Sequence, residues 1–248
     1  LPGEARRTPL DVKVEEEVTL DDGLIRRKIT YQSEPGSRVP AFLFLPKSKA
    51  GERLPAVLCL HQTTKLGKGE SAGLVVNDKS YALDLAKRGF VTIAPDYPGF
   101  GDHAWDFAPE RGYTSGSMKA IWDNLRAVDL LESLDVVDGE RIGCIGHSLG
   151  GHNVIFTALF DPRLKVIASS CGFTRLDQDD LPSWTGRTYM PRIASEFAND
   201  INKLPFDFPE LIAALAPRPF LTCSAVGDGD FNVQGVKDCL TFAAPIYE

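Results

Sequence analysis

Residues 143–153, GCIGHSLGGHN, decide the fold of this 248-residue chain. Gly146, Ser148 and Gly150 form the pattern G-x-S-x-G, in which a nucleophilic serine stands on a tight turn between a strand and a helix. An apolar run precedes the pattern, and a helix-like run, NVIFTALF, follows it. Glycines are needed on both sides because larger side chains would collide with the strand and helix that the turn joins. The stretch therefore predicts Ser148 as a catalytic nucleophile.

Strand-like and helix-like segments alternate along most of the chain. Residues 12–47 contain three β-type runs separated by turn signals, which predicts antiparallel strands at the start of a sheet. From residue 54 onward, short apolar runs alternate with segments of helical period, which predicts βαβ units and a parallel sheet. The clearest predicted helix covers about residues 117–134, with Ser117 as its N-cap.

The predicted fold class is α/β, with one domain over residues 1–248. We expect a mostly parallel central sheet with antiparallel N-terminal strands and helices on both faces. An irregular segment at about residues 173–207, after the sixth strand, interrupts the alternation. Its aromatic side chains argue against disorder, and long ordered insertions are commonly functional. We therefore predict a cap over a pocket.

Composition narrows the class of partner. The net charge is −7, and no cluster of Lys and Arg marks a surface for nucleic acid or for anionic lipid. No apolar run approaches the roughly 18 residues of a membrane span. A soluble protein with a small-molecule substrate is expected, without metal or cofactor, because no CxxC pair or His/Cys cluster is present. The chain opens on Leu1 with no leader, so a cytoplasmic location and export by a leader outside this chain both stay open.

An oxyanion hole is expected beside the predicted nucleophile. One N–H donor would come from Leu149, directly after Ser148, and the other from the loop after an earlier strand. The stretch LCLHQTTKLGKG supplies that loop, with the backbone N–H of Gln62 or Thr63 as the second donor. His61 ends the strand and is expected to brace the loop at the edge of the substrate pocket.

The catalytic acid is expected in LTCSAVGDGDF, on the loop after a late strand. Asp228 and Asp230 are both candidates, and the Gly-x-x-Asp spacing common at such a turn favours Asp230. Either carboxylate could instead be a turn residue that caps the following helix. In the cap, Trp184, Tyr189 and Met190 are the predicted lining of the substrate pocket, although aromatic residues are as readily core contacts.

These residues resemble the α/β-hydrolase superfamily and, more narrowly, its dienelactone hydrolase and acetyl xylan esterase-like branch. The resemblance covers nearly the whole chain and rests on LHQTTKLGKGE, IAPDYPGFGD, MKAIWDNLRAVDLL, GHSLGGHN, SSCGFT and APRPF. It implies a serine carboxylic-ester hydrolase that works through an acyl-enzyme without a cofactor. It also implies an acid near Asp228, which we favour slightly over Asp230.

The catalytic base expected from this resemblance is missing. The superfamily order is nucleophile, acid, then histidine, but the four histidines are His61, His103, His147 and His152. The resemblance implies a final strand and a histidine-bearing loop, both of which we expect this chain to lack. His147 and His152 are expected to pack against the sheet or a helix. His103, in a loop after a strand end, is a weak candidate for a replacement base.

Several functions compete on the sequence alone. The leading prediction is a carboxylesterase that acts on small or acetylated esters, and the alternative is a catalytically impaired binding protein of the same fold. Peptidase activity of the prolyl oligopeptidase type is less expected, because 248 residues hold no propeller or other gating domain. Dehalogenase chemistry is disfavoured because the elbow carries serine where haloalkane dehalogenases carry aspartate. A homo-oligomer is a further possibility, through an exposed sheet edge.

Overall fold

One mixed sheet of eight strands forms the centre of the computed structural model, which describes residues 1–75 and 78–248. In chain order the strands are β1 (Lys13–Thr19), β2 (Ile25–Glu34), β3 (Ser37–Leu45), β4 (Leu54–Leu60), β5 (Val91–Pro95), β6 (Val137–His147), β7 (Leu164–Ser170) and β8 (Phe220–Cys223). Their order across the sheet is β1-β2-β3-β5-β4-β6-β7-β8.

The sheet changes from antiparallel to parallel as the sequence predicts. Strands β1, β2 and β3 form antiparallel hairpins, and β3 also runs antiparallel to β5. The remaining neighbours, from β5 through β4, β6 and β7 to β8, are parallel. This mostly parallel sheet confirms the predicted α/β fold class. The prediction succeeded because parallel strands are buried on both faces and therefore have continuous apolar sequences.

Helices cover both faces of the sheet. They are α1 (Lys68–Ser71), α2 (Tyr81–Lys87), α3 (Gly116–Glu132), α4 (Leu149–Phe160), α5 (Arg192–Ser195), α6 (Phe208–Ala213) and α7 (Val233–Tyr247). Alternate side chains of β3 point to opposite faces of the sheet. Phe42 and Phe44 pack with Ala82 of α2 on one face, whereas Leu43 belongs to the larger core with Trp122 of α3 on the other. No helix within the described residues is long and apolar enough to cross a membrane.

The clearest predicted helix forms as α3, but its N-cap differs from the prediction. Ser115, not Ser117, is the N-cap, and its side chain accepts a hydrogen bond from the N–H of Met118 at 3.0 Å. Ser117 lies inside the helix, and its hydroxyl is 3.1 Å from that of Tyr97. The extended backbone of Ser115, at φ −155°, is the conformation that an N-cap requires.

The predicted cap follows β7, the seventh strand rather than the sixth, because all three N-terminal runs form separate strands of the one sheet. It contains the short 3-10 segments Leu176–Gln178, Leu181–Thr185 and Ile201–Lys203, together with α5. Backbone hydrogen bonds attach it to the start of α3: Gly116 donates its N–H to the carbonyl of Arg187 at 3.2 Å.

The register of the parallel strands brings four loops together. Leu60, Gly146, Ser169 and Thr222 lie side by side across β4, β6, β7 and β8. Each is near the carboxyl end of its strand, so the loops that follow them open at the same edge of the sheet. Ligands of α/β proteins bind at this edge.

Candidate active site

Ser148 stands on the turn between β6 and α4. Its backbone has φ +51°, a left-handed conformation that a non-glycine residue adopts only under strain. The N–H of Ser148 donates to the carbonyl of Ser170 at the end of β7, at 2.9 Å. A Cβ on Gly150 would overlap the carbonyl of Leu60, and one on Gly146 would overlap Gly150 itself. The close approach of strand and helix therefore requires both glycines.

A cleft of about 750 Å³ opens above this turn and brings most of the predicted site residues together. The elbow and the loop after β4 form one wall, the cap forms another, and the loop after β8 forms a third. The predicted residues that line it are Gln62, Thr63, Ser148, Leu149, Trp184, Tyr189, Asp228 and Asp230.

The predicted oxyanion donors, Leu149, Gln62 and Thr63, line the same cleft as Ser148. Leu149 is the first residue of α4, so its N–H has no partner within the helix. Within residues 1–75 and 78–248, the N–H groups of Gln62 and Thr63 donate to no other protein atom. The N-terminal end of α4 adds partial positive charge where an oxyanion would form. The Tyr189 hydroxyl, 2.9 Å from that of Thr63, joins the cap to this loop.

His61 supports the oxyanion loop but does not line the cleft, contrary to its predicted place at the pocket. Its ring is buried, with Nδ1 2.7 Å from the carbonyl of Gln62. The other ring nitrogen, Nε2, accepts the N–H of Tyr97 at 3.0 Å. Burial lowers the pKa of His61, so the neutral ring can donate from Nδ1 and accept at Nε2. Both nitrogens therefore contact backbone groups, and the ring is not among the residues that line the cleft.

Met190 is likewise outside the cleft, although the sequence places it in the pocket lining. It lines a separate apolar cavity of about 450 Å³ with residues of α3, α4 and the cap, among them Ile121 and Phe156. The backbone turns between Tyr189 and Met190, so adjacent cap residues serve two different cavities.

Asp228 and Asp230 have different surroundings. The Oδ1 atom of Asp228 accepts the N–H groups of Asp230 at 2.9 Å and Phe231 at 3.2 Å. Burial alone would raise the pKa of Asp228, but these two hydrogen bonds outweigh it and hold the pKa below its usual value. The thiol of Cys171, which follows Ser170, lies beside the same carboxylate. Asp230 is exposed. This geometry favours Asp228 as the acid.

His103 is not at the cleft, so it is not the replacement base that its loop position suggested. Its ring is buried, and Nε2 lies 3.0 Å from Oδ2 of Asp123 on α3. Lys119 contacts the same carboxylate. This buried charged cluster holds the histidine in a separate depression beside Trp105. The loop after β5 folds back toward α3, which the strand-end position alone does not reveal.

His147 and His152 both line the cleft, although the sequence predicts only packing roles for them. The Nδ1 atom of His147 is 3.1 Å from the hydroxyl of Ser170, and burial lowers the pKa of this ring. His152 is 4% exposed and packs on Trp184, with ring centroids 4.7 Å apart. The sequence did contain a signal that His152 lines the cleft. His152 lies four residues after Ser148 at the start of α4, and residues four apart share a helix face.

A complete triad is not assembled by the described residues. Among them, no histidine ring is within hydrogen-bonding distance of the Ser148 or the Asp228 side chain. No group of three or more His, Cys, Asp or Glu side chains in the described chain is arranged to hold a metal ion. The described residues therefore bring the predicted nucleophile, oxyanion donors and acid to one cleft, and none of them places a histidine there as the base.

Sequence comparison places this elbow in a known family. The profile of the prolyl oligopeptidase family matches residues 78–234, more than half of the chain. The chain belongs to the prolyl oligopeptidase family. Together with the elbow, this membership marks an enzyme of the serine-hydrolase type, and the predicted α/β-hydrolase superfamily is confirmed. Within the curated relatives, YtaP of Bacillus subtilis (strain 168) is 29% identical over 215 residues, which are 80% of this chain and 68% of that protein.

Two solved structures are similar to this member of the prolyl oligopeptidase family in fold. A glucuronoyl esterase from Solibacter usitatus superposes with a TM-score of 0.71 at 19% identity, and the matched region covers 98% of this chain and 75% of the esterase chain. Acetyl xylan esterase from Paenibacillus sp. R4 superposes with a TM-score of 0.63 at 18% identity, covering 99% and 81%. At these identities the likeness establishes the shared fold.

Proposed function

We propose that this protein is a serine carboxylic-ester hydrolase that acts on small or acetylated esters through an acyl-enzyme on Ser148. The observation that carries the proposal is the strained elbow, which presents Ser148 to the cleft that Leu149, Gln62 and Thr63 also line. Attack of the Ser148 hydroxyl on the ester carbonyl would form a tetrahedral oxyanion, which these donors stabilise. Loss of the alcohol leaves the acyl-enzyme, and water then releases the acid.

The fold neighbours support the choice of an ester. Both solved structures described above are named as esterases, of glucuronoyl and acetyl xylan groups. Membership of the prolyl oligopeptidase family keeps the peptide bond among the candidates, because ester and amide cleavage share the same acyl-enzyme. A dipeptide p-nitroanilide therefore belongs in every assay beside the ester.

The base is the open part of this proposal. Without an imidazole the Ser148 hydroxyl is a weak nucleophile at neutral pH. Ser148 and the Asp228 carboxylate would then act with a histidine that is not among the described residues. Free imidazole is the simplest substitute for that histidine in an assay. Imidazole titrates near neutral pH, where a general base is most effective.

Replacement of Ser148 by alanine tests the proposal. We expect Ser148→Ala to lower the hydrolysis of p-nitrophenyl acetate about a hundredfold or more in the presence of imidazole, because the acyl-enzyme cannot form. Both proteins receive the same imidazole, and the rate with imidazole and ester but no protein is subtracted from each, because imidazole itself reacts with the ester. Ser195→Ala removes an exposed serine from α5 and is the matched control. Equal turnover by wild type and Ser148→Ala would overturn the proposal.

The lack of a placed histidine base among the described residues favours one alternative, a catalytically silent protein that uses the same cleft for binding. Covalent labelling separates the two functions. A fluorophosphonate that modifies Ser148 in the wild type, accelerates with imidazole and leaves Ser148→Ala unlabelled supports the esterase. No modification of Ser148 in a folded protein, with imidazole present, supports the silent binding function.

A further inference from the structure

The Ser148 cleft is strongly acidic. Four carboxylates line it: Asp179 and Asp180 from the cap, and Asp228 and Asp230 from the loop after β8. No lysine or arginine is among its described lining residues, and none of the four aspartates makes an ion pair within residues 1–75 and 78–248. Lys79 lines a neighbouring depression with His147, where it pairs with Asp78 at 3.6 Å.

The carboxylates at the cap repel one another. Burial raises the pKa of Asp179, and the nearby charges of Asp180 and Asp230 raise it further. The carboxylate is fixed in place, since Oδ2 accepts the indole N–H of Trp184 at 2.9 Å and Oδ1 accepts the N–H of Asp180 at 2.7 Å. A cation in the cleft would relieve this repulsion.

Two buried polar side chains that line the same cleft each leave an acceptor atom without a hydrogen bond among the described residues. His152 is 4% exposed and lines the cleft, and the backbone of Gly172 is its nearest hydrogen-bond partner, so at least one ring nitrogen has no partner among the described residues. Gln62, 7% exposed, donates its amide to Glu70 but leaves Oε1 without a partner. Burial lowers the pKa of His152 to about 3, so its ring is neutral and one nitrogen is an acceptor. Both groups therefore offer acceptors to a ligand that donates.

Aromatic side chains of the cap and of the loop after β8 also line the cleft. His152 packs on Trp184, and the ring of Trp184 lies 6.3 Å from that of Phe231, the neighbour of Asp230. Aromatic faces attract cations, most strongly when water is excluded. Negative charge, unused acceptors and aromatic rings thus line the cleft that contains the nucleophile.

We propose that the Ser148 cleft selects esters that carry a protonated amine, with the ammonium group held by Asp179, Asp230 and the ring of Trp184. This inference rests on the proposed esterase function, and it assigns the substrate class to the same site. His152 would accept an N–H from the ammonium group or from a polar atom next to it. Anionic esters would be repelled by the same carboxylates.

Equilibrium binding tests this selectivity without requiring turnover. We expect n-pentylammonium to bind the wild-type chain about tenfold or more tightly than 1-pentanol, measured by calorimetry at low salt, with pentanoate weaker than both. The difference should shrink in about 0.3 M NaCl, because salt screens partly exposed charges. The double variant Asp179→Asn/Asp230→Asn should bring the amine and the alcohol to within about twofold of each other.

Glu140→Gln is the matched control, because it removes one carboxylate at the opposite end of β6, where the side chain is 88% exposed. It should preserve the preference for the amine. Equal binding of amine and alcohol, tighter binding of a neutral sugar than of the amine, or an equal loss in Glu140→Gln would overturn the inference. Because binding is read directly, Ser148-dependent ester turnover without an amine preference would leave the proposed function standing.

Discussion

Asp228 and Asp230 are two residues apart, and their surroundings predict different effects on turnover. Asp228 is fixed by two backbone N–H groups and lies at the ends of β7 and β8, whereas Asp230 is exposed. With imidazole as the base, we expect Asp228→Asn to lower the turnover of neutral p-nitrophenyl acetate about tenfold or more, because the amide cannot stabilise an imidazolium. Asp230→Asn should change it less than about twofold. The reverse order would make Asp230 the acid.

Residue types alone predicted part of this site. Ser148 and Leu149 follow from the elbow, because its geometry is a local property of strand, turn and helix, and the loop after β4 follows from the stretch LCLHQTTKLGKG. His103 and Met190 were misplaced for the opposite reason: which cavity a loop side chain enters depends on tertiary contacts, here a buried aspartate and a turn in the cap. Asp179 and Asp180 carried no sequence signal, because the irregular cap has no periodicity from which to place them.

The start of α3 provides a test at the scale of one element. The Ser115 hydroxyl accepts the N–H of Met118 at 3.0 Å and satisfies a donor that the helix leaves unpaired. Ser115→Ala should lower the free energy of unfolding by about 1 kcal/mol in urea titrations, and Ser115→Asp, which keeps an acceptor, by less. If the two variants lose equal stability, the cap hydrogen bond is not the cause. The sequence predicted the bounds of this helix to within two residues. It favoured the wrong N-cap, Ser117, because Ser115 and Ser117 both precede the apolar face of the helix.

At the scale of the whole molecule, the alternation of apolar runs was sufficient to predict the sheet and its two helical layers. Each parallel strand must be buried on both faces, which the sequence records as an unbroken apolar run. The sequence does not record the register that aligns Leu60, Gly146 and Ser169, since register depends on pairing across the sheet. That alignment, in turn, brings the elbow, the oxyanion loop and the acid to one cleft.

His152 couples this cleft to the stability of the whole fold. Burial lowers its pKa to about 3 in the folded protein, whereas an unfolded histidine titrates near 6.5. Below pH 6.5 the unfolded chain therefore takes up a proton that the folded chain excludes, and stability falls as the pH falls toward 3. When the pH is lowered from 7 to about 4.5, this residue alone should lower the free energy of unfolding by about 2 to 3 kcal/mol. Replacing it with a residue that does not titrate should remove that loss.

Two variants separate titration from packing in this test. His152→Phe keeps the aromatic contact with Trp184, and His152→Gln keeps a polar side chain, but neither can take up a proton. Their stabilities at pH 7 will differ because their packing differs, so the informative quantity is the change between the two pH values, measured by urea unfolding. Both variants should lose less stability than the wild type on acidification, by the same amount. An unchanged loss in both would mean that His152 is solvated enough to titrate normally in the folded protein, and the cleft would then be more open than its buried ring indicates.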